Sequence, residues 1–495
     1  MLRKVPEVLS KSRYLSGLQC PKRLWTEVRV PELLPPLSLA TRALFDQGHE
    51  VGELAKRLFP GGIEISPDSR QWSVVVEATV RALAQRCPLY EAGFRSEGGA
   101  CRVDILVPVA EDHWDLYEVK SSTGVKEVHL QDVALQAEVV EGAGLKIRDC
   151  YLVHIDNTYV RQGAIDPSGL FNQERVTDEV GHRRELVAAR LAAFHEVVGR
   201  DSRPEVAIGP HCHDPYDCPL ESECWAFLPP TNVFDLVNGR QRAFEWLEQG
   251  IIELAEIPTD EKLSDKQSIQ LAAVRSGEPW VDREALSSFL SDLRHPISYF
   301  DLESFAPAVP LFDGSRPYQQ IPFLFSIHRV EAVGERARHF SYHLAEPGMD
   351  PRPDFLRAVK SALGEDGTIV AYNAGFERRV LKEAAEAVPE FMSWSLELEQ
   401  RFVDLLNPFR SFAYHHPDQL GSASLKVVLP AVTGMSYADL EIAEGETASR
   451  EYLRVMSGNV DPIERIRVLR DLEDYCALDT LGMVAIVDHL EQLTS

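Results

Sequence analysis

Residues 297–305 read ISYFDLESF. The run is apolar up to Phe300, as a buried strand requires, and then carries two acids one residue apart. Strand alternation puts Asp301 and Glu303 on the same face. This pattern predicts a central strand ending at a site. Further along, strands are expected near Phe323–His328 and Thr368–Tyr372. The second of these runs into IVAYNAGFERRVL (369–381), where Asn373 follows the strand and Glu377 opens a helix. Near the end, residues 464–493 form one long acidic helix. Tyr475 and Asp479 in YCALDT are four residues apart and share a face of it. An Asp-x-Glu pair, a mid-domain acid and a Tyr-x-x-x-Asp can assemble a two-metal centre. Such a centre holds ions roughly 3.5–4 Å apart and clamps attacking and leaving oxygens. The tyrosine can orient the attacking water. Asp404 in FVDLLNPF is a candidate auxiliary acid, and Ser424 and Lys426 in GSASLKVVLP are candidate phosphate contacts.

Toward the N-terminus, residues 231–296 are polar and read as short helices broken by turns. Before them, LATRALFDQGHEVGELAKRLF (39–59) has helical periodicity. It is followed by strand-like ACRVDILVPVA (100–110), HWDLYEVKSS (113–122) and IRDCYLVHID (147–156). Asp104 lies in the first of these strands, Glu118 and Lys120 in the second. Alternation puts Glu118 and Lys120 on one face, about 7 Å apart. Two carboxylates can hold a divalent ion that generates hydroxide near neutral pH. A lysine beside them can steady the water or the developing charge. His49 lies on the preceding helix between Gly48 and Gly52, whose small size is expected to let that helix approach the sheet closely. Mixed strands and helices on both sides of 231–296 predict an α/β chain with domains at 1–230 and 297–495, joined by a helical segment at 231–296. The stretch NGRQRAFEWLEQGIIELAEI within that segment loosely resembles a helix-hairpin-helix element.

Eight cysteines in 495 residues are too few for a disulfide scaffold. Cys212, Cys218 and Cys224 crowd into GPHCHDPYDCPLESECW (209–225), while Cys20 stands early in QCPKRLW. The crowding suggests a metal site. With His211 and His213 nearby, zinc is a possible occupant, although the usual C-x-x-C knuckle is missing. Cys87, Cys101, Cys150 and Cys476 read as ordinary buried thiols.

The formal net charge is -26, from 51 Lys+Arg against 77 Asp+Glu. A bulk basic footprint for nucleic acid is therefore absent, and only local strips such as QCPKRLW and FERRV supply one. Binding to nucleic acid should then weaken steeply with salt. There is no G-x-x-x-x-G-K-S/T and no G-x-S-x-G. The N-terminus lacks the apolar core of a signal peptide, and no apolar run has the length of a membrane span, so the cytoplasm is the expected compartment.

The order of motifs in residues 1–230 resembles the PD-(D/E)XK nucleases of the RecB type, including the CRISPR-associated RecB-like exonucleases. The resemblance implies a restriction-endonuclease-like core with His49, Asp104 and Glu118 as metal ligands and Lys120 as the catalytic lysine. Gln136 matches the first residue of the family's Gln-x-x-x-Tyr, although Val140 stands where the tyrosine belongs. One early and three late cysteines resemble the iron–sulfur-stapled members, which implies a 4Fe–4S cluster on Cys20, Cys212, Cys218 and Cys224. Residues 297–495 resemble the DEDD exonucleases of the DnaQ type, with a ribonuclease-H-like fold. On that resemblance Asp301, Glu303, Tyr475 and Asp479 match the motifs, with Asp301, Glu303 and Asp479 as metal ligands. Glu377 replaces the usual Asp after a matching Asn-x-x-Phe, and Asn373 of that motif contacts nucleic acid. Together the two halves resemble an uncharacterised bacterial family that fuses these two domains.

The resemblance implies an Mg²⁺- or Mn²⁺-dependent nuclease, an exonuclease before an endonuclease, acting on single-stranded DNA or DNA ends. RNA is the second choice of substrate. Without a P-loop the chain cannot unwind duplexes by ATP hydrolysis, so a helicase or a defence-system protein is a candidate partner. DNA repair and antiviral defence both fit. The competing expectations are a nucleic-acid-binding scaffold with one or both centres inactive, motivated by Val140 and Glu377, and a regulator gated by the redox state of its cluster.

Overall fold

The computed structural model describes residues 3–495 except Pro67, Asp68, Arg70, Glu111, Ala345 and Asn459. The chain is mixed α/β and divides into two compact units. One comprises Met1–Phe227 and Pro307–Tyr318, the other Leu228–Ala306 and Gln319–Ser495. Among the described residues no helix is long and apolar enough to cross a membrane.

In the first unit, helices α1 (Lys11–Gln19) and α2 (Pro21–Arg29) break at Cys20, which has extended backbone. Ser10 caps α1, and Pro21 opens α2, where a missing N–H does no harm. Helix α3 (Leu39–Ala55) follows. The sheet has β1 (Leu89–Ser96), β2 (Gly99–Pro108), β3 (His113–Lys120), β4 (Lys146–Ile155) and β5 (Phe171–Arg175) side by side. Short strands Ile63–Glu64 and Leu9–Ser10 pair with β1 and β2. Strands β1, β2 and β3 are antiparallel neighbours. Between β3 and β4 the chain crosses through α4 (Glu127–Gly142), so those two strands run parallel.

The two faces of this sheet bury different helices. Val133, Ala134 and Ala137 of α4 share a core with Cys101, Val103 and Leu116. Val51, Leu54 and Ala55 of α3 share another with Ile105, Tyr117 and Val153. Because alternate strand residues point to opposite faces, Glu118 lies on the α4 side and Tyr117 on the α3 side. The expected close approach of α3 through its glycines does not occur. A Cβ added at Gly48 or Gly52 would meet nothing within 4 Å among the described residues. The helix docks through Val51, Leu54 and Ala55 instead.

In the second unit, β6 (Ile297–Phe305) is the middle strand of five. It pairs antiparallel with β7 (Ile321–Val330), which pairs antiparallel with β8 (Arg338–His343). On its other side β6 runs parallel to β9 (Thr368–Ala371), which leads into α5 (Ala374–Ala387) and runs parallel to β10 (Phe402–Asp404). In order of appearance the strands lie third-second-first-fourth-fifth. Helices α6 (Leu425–Thr433) and α7 (Pro462–Thr494) complete the parts used below. Phe300, Phe325, Phe355, Ile369 and Val380 form the core under the sheet.

The segment 231–296, expected as a joining piece, is part of this second unit. Val233, Leu236, Trp246 and Leu271 close a small core of their own. Trp280–Val281 pairs with Tyr414–His415 in a two-stranded sheet. Pairing with a strand more than a hundred residues later fastens the segment to the C-terminal part.

Candidate metal centres

Strand β6 presents Asp301 and Glu303, and α7 presents Asp479. One carboxylate oxygen from each lies within 4.8 Å of the others. Glu303 and Asp479 are buried. Burial pushes the Asp301 carboxyl up to about 6. Burial and the neighbouring carboxylates hold Glu303 and Asp479 well above the usual carboxylate range. The Tyr437 hydroxyl donates to Asp479 Oδ1, and the Cys476 thiol donates to Asp301 Oδ2 at 3.2 Å. Cys476, expected as an ordinary buried thiol, is buried but touches the centre. Tyr475 lies one turn before Asp479, and among the described residues its hydroxyl makes no hydrogen bond. The Lys426 ammonium sits 5.4 Å from the centre of the Tyr475 ring and donates to the Ala443 carbonyl at 2.7 Å. Its charge draws the carboxyls of Glu303 and Asp479 downward, against burial.

Glu377, in the first turn of α5, is buried, and its Oε2 has no hydrogen-bond partner among the described residues. Burial, then the charge of Asp301, raises its carboxyl. Asn373 starts α5 from a left-handed backbone with φ 74°. Its N–H donates to Asp404 Oδ1 at 2.9 Å, and the Leu406 N–H donates to the same oxygen at 3.0 Å. Asp404, expected as an auxiliary acid, thus fastens the turn after β9 through its Oδ1. Ser424 is exposed at the start of α6.

In the first unit, Glu118 is buried on β3 and surrounded by donors. Lys11 and Lys120 both donate to its Oε1, at 2.7 and 2.6 Å, and Gln136 of α4 donates to its Oε2 at 2.7 Å. Asp132, one turn before Gln136, receives Lys120 at 2.7 Å and Gln136 at 3.0 Å, with Lys11 at 3.5 Å. Burial opposes the charge of Glu118, but the two ammonium groups outweigh it and hold the carboxyl well below its usual range. Asp104 accepts the Val119 N–H at 2.8 Å. Burial, then the charge of Glu118, pushes its carboxyl up to about 8.

Asp104, Glu118, Lys120 and Gln136 therefore meet. His49 does not join them. It is exposed on α3 and makes no hydrogen bond or ion pair among the described residues. The reason is local: α3 covers the Tyr117 side of the sheet, and Glu118 points to the other. Lys11 and Asp132 were missed in the sequence. Lys11 lies 107 residues from Glu118 and no local pattern marks it. Asp132 could have been found, because Asp132 and Gln136 are four residues apart on one helical face. Tyr437, in a loop after α6, carried no signal.

Cys20, Cys212, Cys218 and Cys224 line a single small pocket with Lys22 and His211. No three of the four sulfurs lie mutually within 4.8 Å. Lys22 donates to Cys224 Sγ at 3.2 Å. Gln19 ties the α1–α2 corner to the cysteine loop through the carbonyls of His211 and Tyr216, at 2.8 and 2.6 Å. Burial raises the thiols of Cys20 and Cys218. His213 turns elsewhere, to Asp217 at 2.8 Å.

Comparison with known proteins gives little by way of function. A family profile described as a domain of unknown function (DUF2779) matches residues 298–424. That stretch contains Asp301, Glu303 and Glu377 but stops short of Tyr475 and Asp479. The chain is also similar to a curated protein of Mycoplasma pneumoniae described as "Uncharacterized protein MG366 homolog". The two are 23% identical over 232 residues, 42% of this chain and 35% of that protein. The match thus spans about a third of the relative's length.

Proposed function

We propose that the chain is a metal-dependent nuclease with two centres, hydrolysing single-stranded DNA or DNA ends. The observation that carries this reading is the meeting of Asp301, Glu303 and Asp479 within 4.8 Å, from a central strand and a distant helix. Three mutually repelling carboxylates, two of them buried and Asp301 half-buried, are costly unless a cation joins them. Mg²⁺ or Mn²⁺ held there would polarise the phosphate and supply hydroxide near neutral pH. Glu377, with its unpartnered Oε2, adds a fourth carboxylate. Tyr437 holds Asp479 in place. The free Tyr475 hydroxyl can orient an attacking water, and Lys426 supplies positive charge for the developing phosphate charge. The third-second-first-fourth-fifth strand order supports the ribonuclease-H-like resemblance.

In the first unit Asp104 and Glu118 would hold the cation, and Lys120 would steady the attacking water. The antiparallel strands followed by a parallel crossover support the PD-(D/E)XK resemblance. The four thiols around one pocket suit a 4Fe–4S cluster. Their spread favours it over zinc, whose short bonds of roughly 2.3 Å would draw four sulfurs within about 4 Å of one another. A brown anaerobic preparation with iron and sulfide bound supports the cluster, and stoichiometric zinc overturns it. The cytoplasm suits such a cluster and the reduced thiols.

The test is degradation of labelled single-stranded DNA, duplex DNA and RNA with Mg²⁺ or Mn²⁺. Glu118→Ala combined with Asp301→Ala should abolish it, and each single change should remove one contribution. Activity that survives the double change overturns the two-centre assignment. The second reading is a scaffold with an inactive first centre. It is favoured by one observation: two lysines already neutralise Glu118. Oligonucleotide binding without cleavage in Mg²⁺, Mn²⁺ and Ca²⁺ would support it.

A further inference from the structure

Beside the first centre opens a cleft of about 430 Å³, of the size that small ligands fill. Lys11, Arg102, Ser10, Ser12 and Trp72 line it, with Asp104 and Glu91 on its wall. Lys11 is the only one of these that also reaches the carboxylates of the centre, with its ammonium 2.7 Å from Glu118 Oε1. Its side chain is 27% exposed, so it faces both the cleft and the centre. Arg102 projects from β2 and is steadied by donation to the Ser69 carbonyl. Trp72 is half-buried at the start of the helix Trp72–Leu83, and its indole packs near Gly93. The kink that shapes the cleft wall is local. Glu91 adopts a left-handed backbone with φ 58° in the middle of β1. Around it the side chains of Tyr90 and Ala92 fall into opposite cores.

Two cations, the serines Ser10, Ser12 and Ser69 and an aromatic ring around a space of this size, next to paired carboxylates, match the parts of one nucleotide. We infer that this cleft binds the terminal nucleotide of a single strand, with Lys11 on the scissile phosphate, Arg102 on the adjoining phosphate and Trp72 against the base. The inference rests on the nuclease reading of the first centre and deepens it. The carboxylates on the wall would repel a phosphate by themselves, so the cleft engages nucleic acid only when a divalent cation neutralises them. Lys11 then serves two states. It neutralises Glu118 in the metal-free protein and turns to phosphate once a metal takes over that charge.

The full chain carrying Asp301→Ala is titrated with an internally fluorescein-labelled oligothymidylate in Ca²⁺, and affinity is read by anisotropy at several salt concentrations. Each phosphate contact contributes about 0.7 to the slope of log K against log salt for single strands. Lys11→Met and Arg102→Gln should each lower that slope by about 0.7, and Lys11→Arg should restore it. Trp72→Ala should weaken binding about tenfold with the slope unchanged, and Trp72→Phe should retain most of the affinity. Omitting Ca²⁺ should remove these differences. Affinity and slope that ignore all three positions overturn the cleft, whatever the cleavage result. The full signature without Glu118-dependent cleavage in Mg²⁺ or Mn²⁺ leaves the cleft standing and removes the nuclease reading of the first centre. A uniform loss in every variant, Lys11→Arg and Trp72→Phe included, overturns it too, because that is the mark of a merely structural role.

Discussion

In the first unit Glu118 and Asp132 share two ammonium groups and a carboxamide, while in the second Asp301, Glu303 and Asp479 face chiefly one another. Both are carboxylate groups held beside a sheet by a helix. They differ in what neutralises them before any metal arrives. Lysines do so for Glu118 in the first unit, so it stays ionised while burial raises its neighbours Asp104 and Asp132, and a metal must share the Glu118 oxygens with Lys11 and Lys120. Protons do so in the second, because burial and mutual repulsion hold the carboxyls high. A cation entering the second centre would therefore displace protons, and one entering the first would move Lys11 and Lys120 off Glu118 as well as displace the proton of Asp104, whose carboxyl burial pushes up to about 8.

The sharpest way to break this comparison is Lys120→Met. If lysines carry the first centre, their removal leaves Glu118 and Asp132 buried and short of a partner. Loss of one member of a buried ion pair costs about 3–5 kcal/mol, and the remaining Lys11 places this change at the lower end, about 3 kcal/mol. Denaturant unfolding measures it. A change under about 0.5 kcal/mol would show that water already screens the group.

Asp301→Asn probes the other centre and should act in the opposite direction. The folded-state carboxyl of Asp301 lies at about 6, above its ordinary value of 3.8. Between those values the folded chain holds a proton that the unfolded chain releases, so metal-free stability falls as pH rises through this window. At pH 7 the ionised Asp301 destabilises the fold, and Asn removes that penalty. In EDTA the substitution should raise unfolding free energy by about 2 kcal/mol at pH 7, from roughly two units at 1.36 kcal/mol each with a discount for partial exposure. The gain should fade toward pH 4, where the wild-type carboxyl is protonated. In Mn²⁺ the sign should reverse, since the wild type alone keeps the complete ligand set. A gain independent of pH would mean that Asp301 is not the charge at issue.

The contrast also marks where sequence was informative. Asp301 with Glu303, Tyr475 with Asp479, and Glu118 with Lys120 were legible because strand alternation and the helical turn bring near neighbours to one face. Glu377 was legible from the strand-to-helix switch before it. The positions of β6, β7 and β9 followed from their hydrophobic runs, whereas β8, β10 and the order of the strands did not. Lys11 was not legible, because a lysine in a serine-rich stretch acquires meaning only when the sheet folds it against a strand 107 residues away. Asp404, expected as an auxiliary acid, showed in the sequence no sign of the two backbone N–H groups that its Oδ1 accepts at the end of β10. His49 and its glycines misled because helical periodicity gives a stripe but not which side of a two-faced sheet the stripe will cover.

Glycines give the smallest test and the finest distinction. The first centre does not depend on the close approach of α3, where Gly48 and Gly52 face open space. Ala at either position fills nothing and removes backbone freedom from the unfolded chain, so each should stabilise by about 0.5–1 kcal/mol. Beside the second centre such an approach does occur. A Cβ on Gly482 in α7 would lie 2.7 Å from Leu429 of α6. These are the two helices that carry Asp479 and Lys426. Gly482→Ala should therefore overpack the contact and cost about 1–2 kcal/mol net of its better helix propensity. It should also weaken Mn²⁺ binding at the second centre by moving Asp479 away from β6. Calorimetric melting in EDTA and Mn²⁺ titration separate the two effects. Opposite signs for Gly48→Ala and Gly482→Ala are what the packing requires, and a stabilising Gly482→Ala with unchanged Mn²⁺ affinity would mean that Leu429 yields freely and that α6 does not fix the position of Asp479.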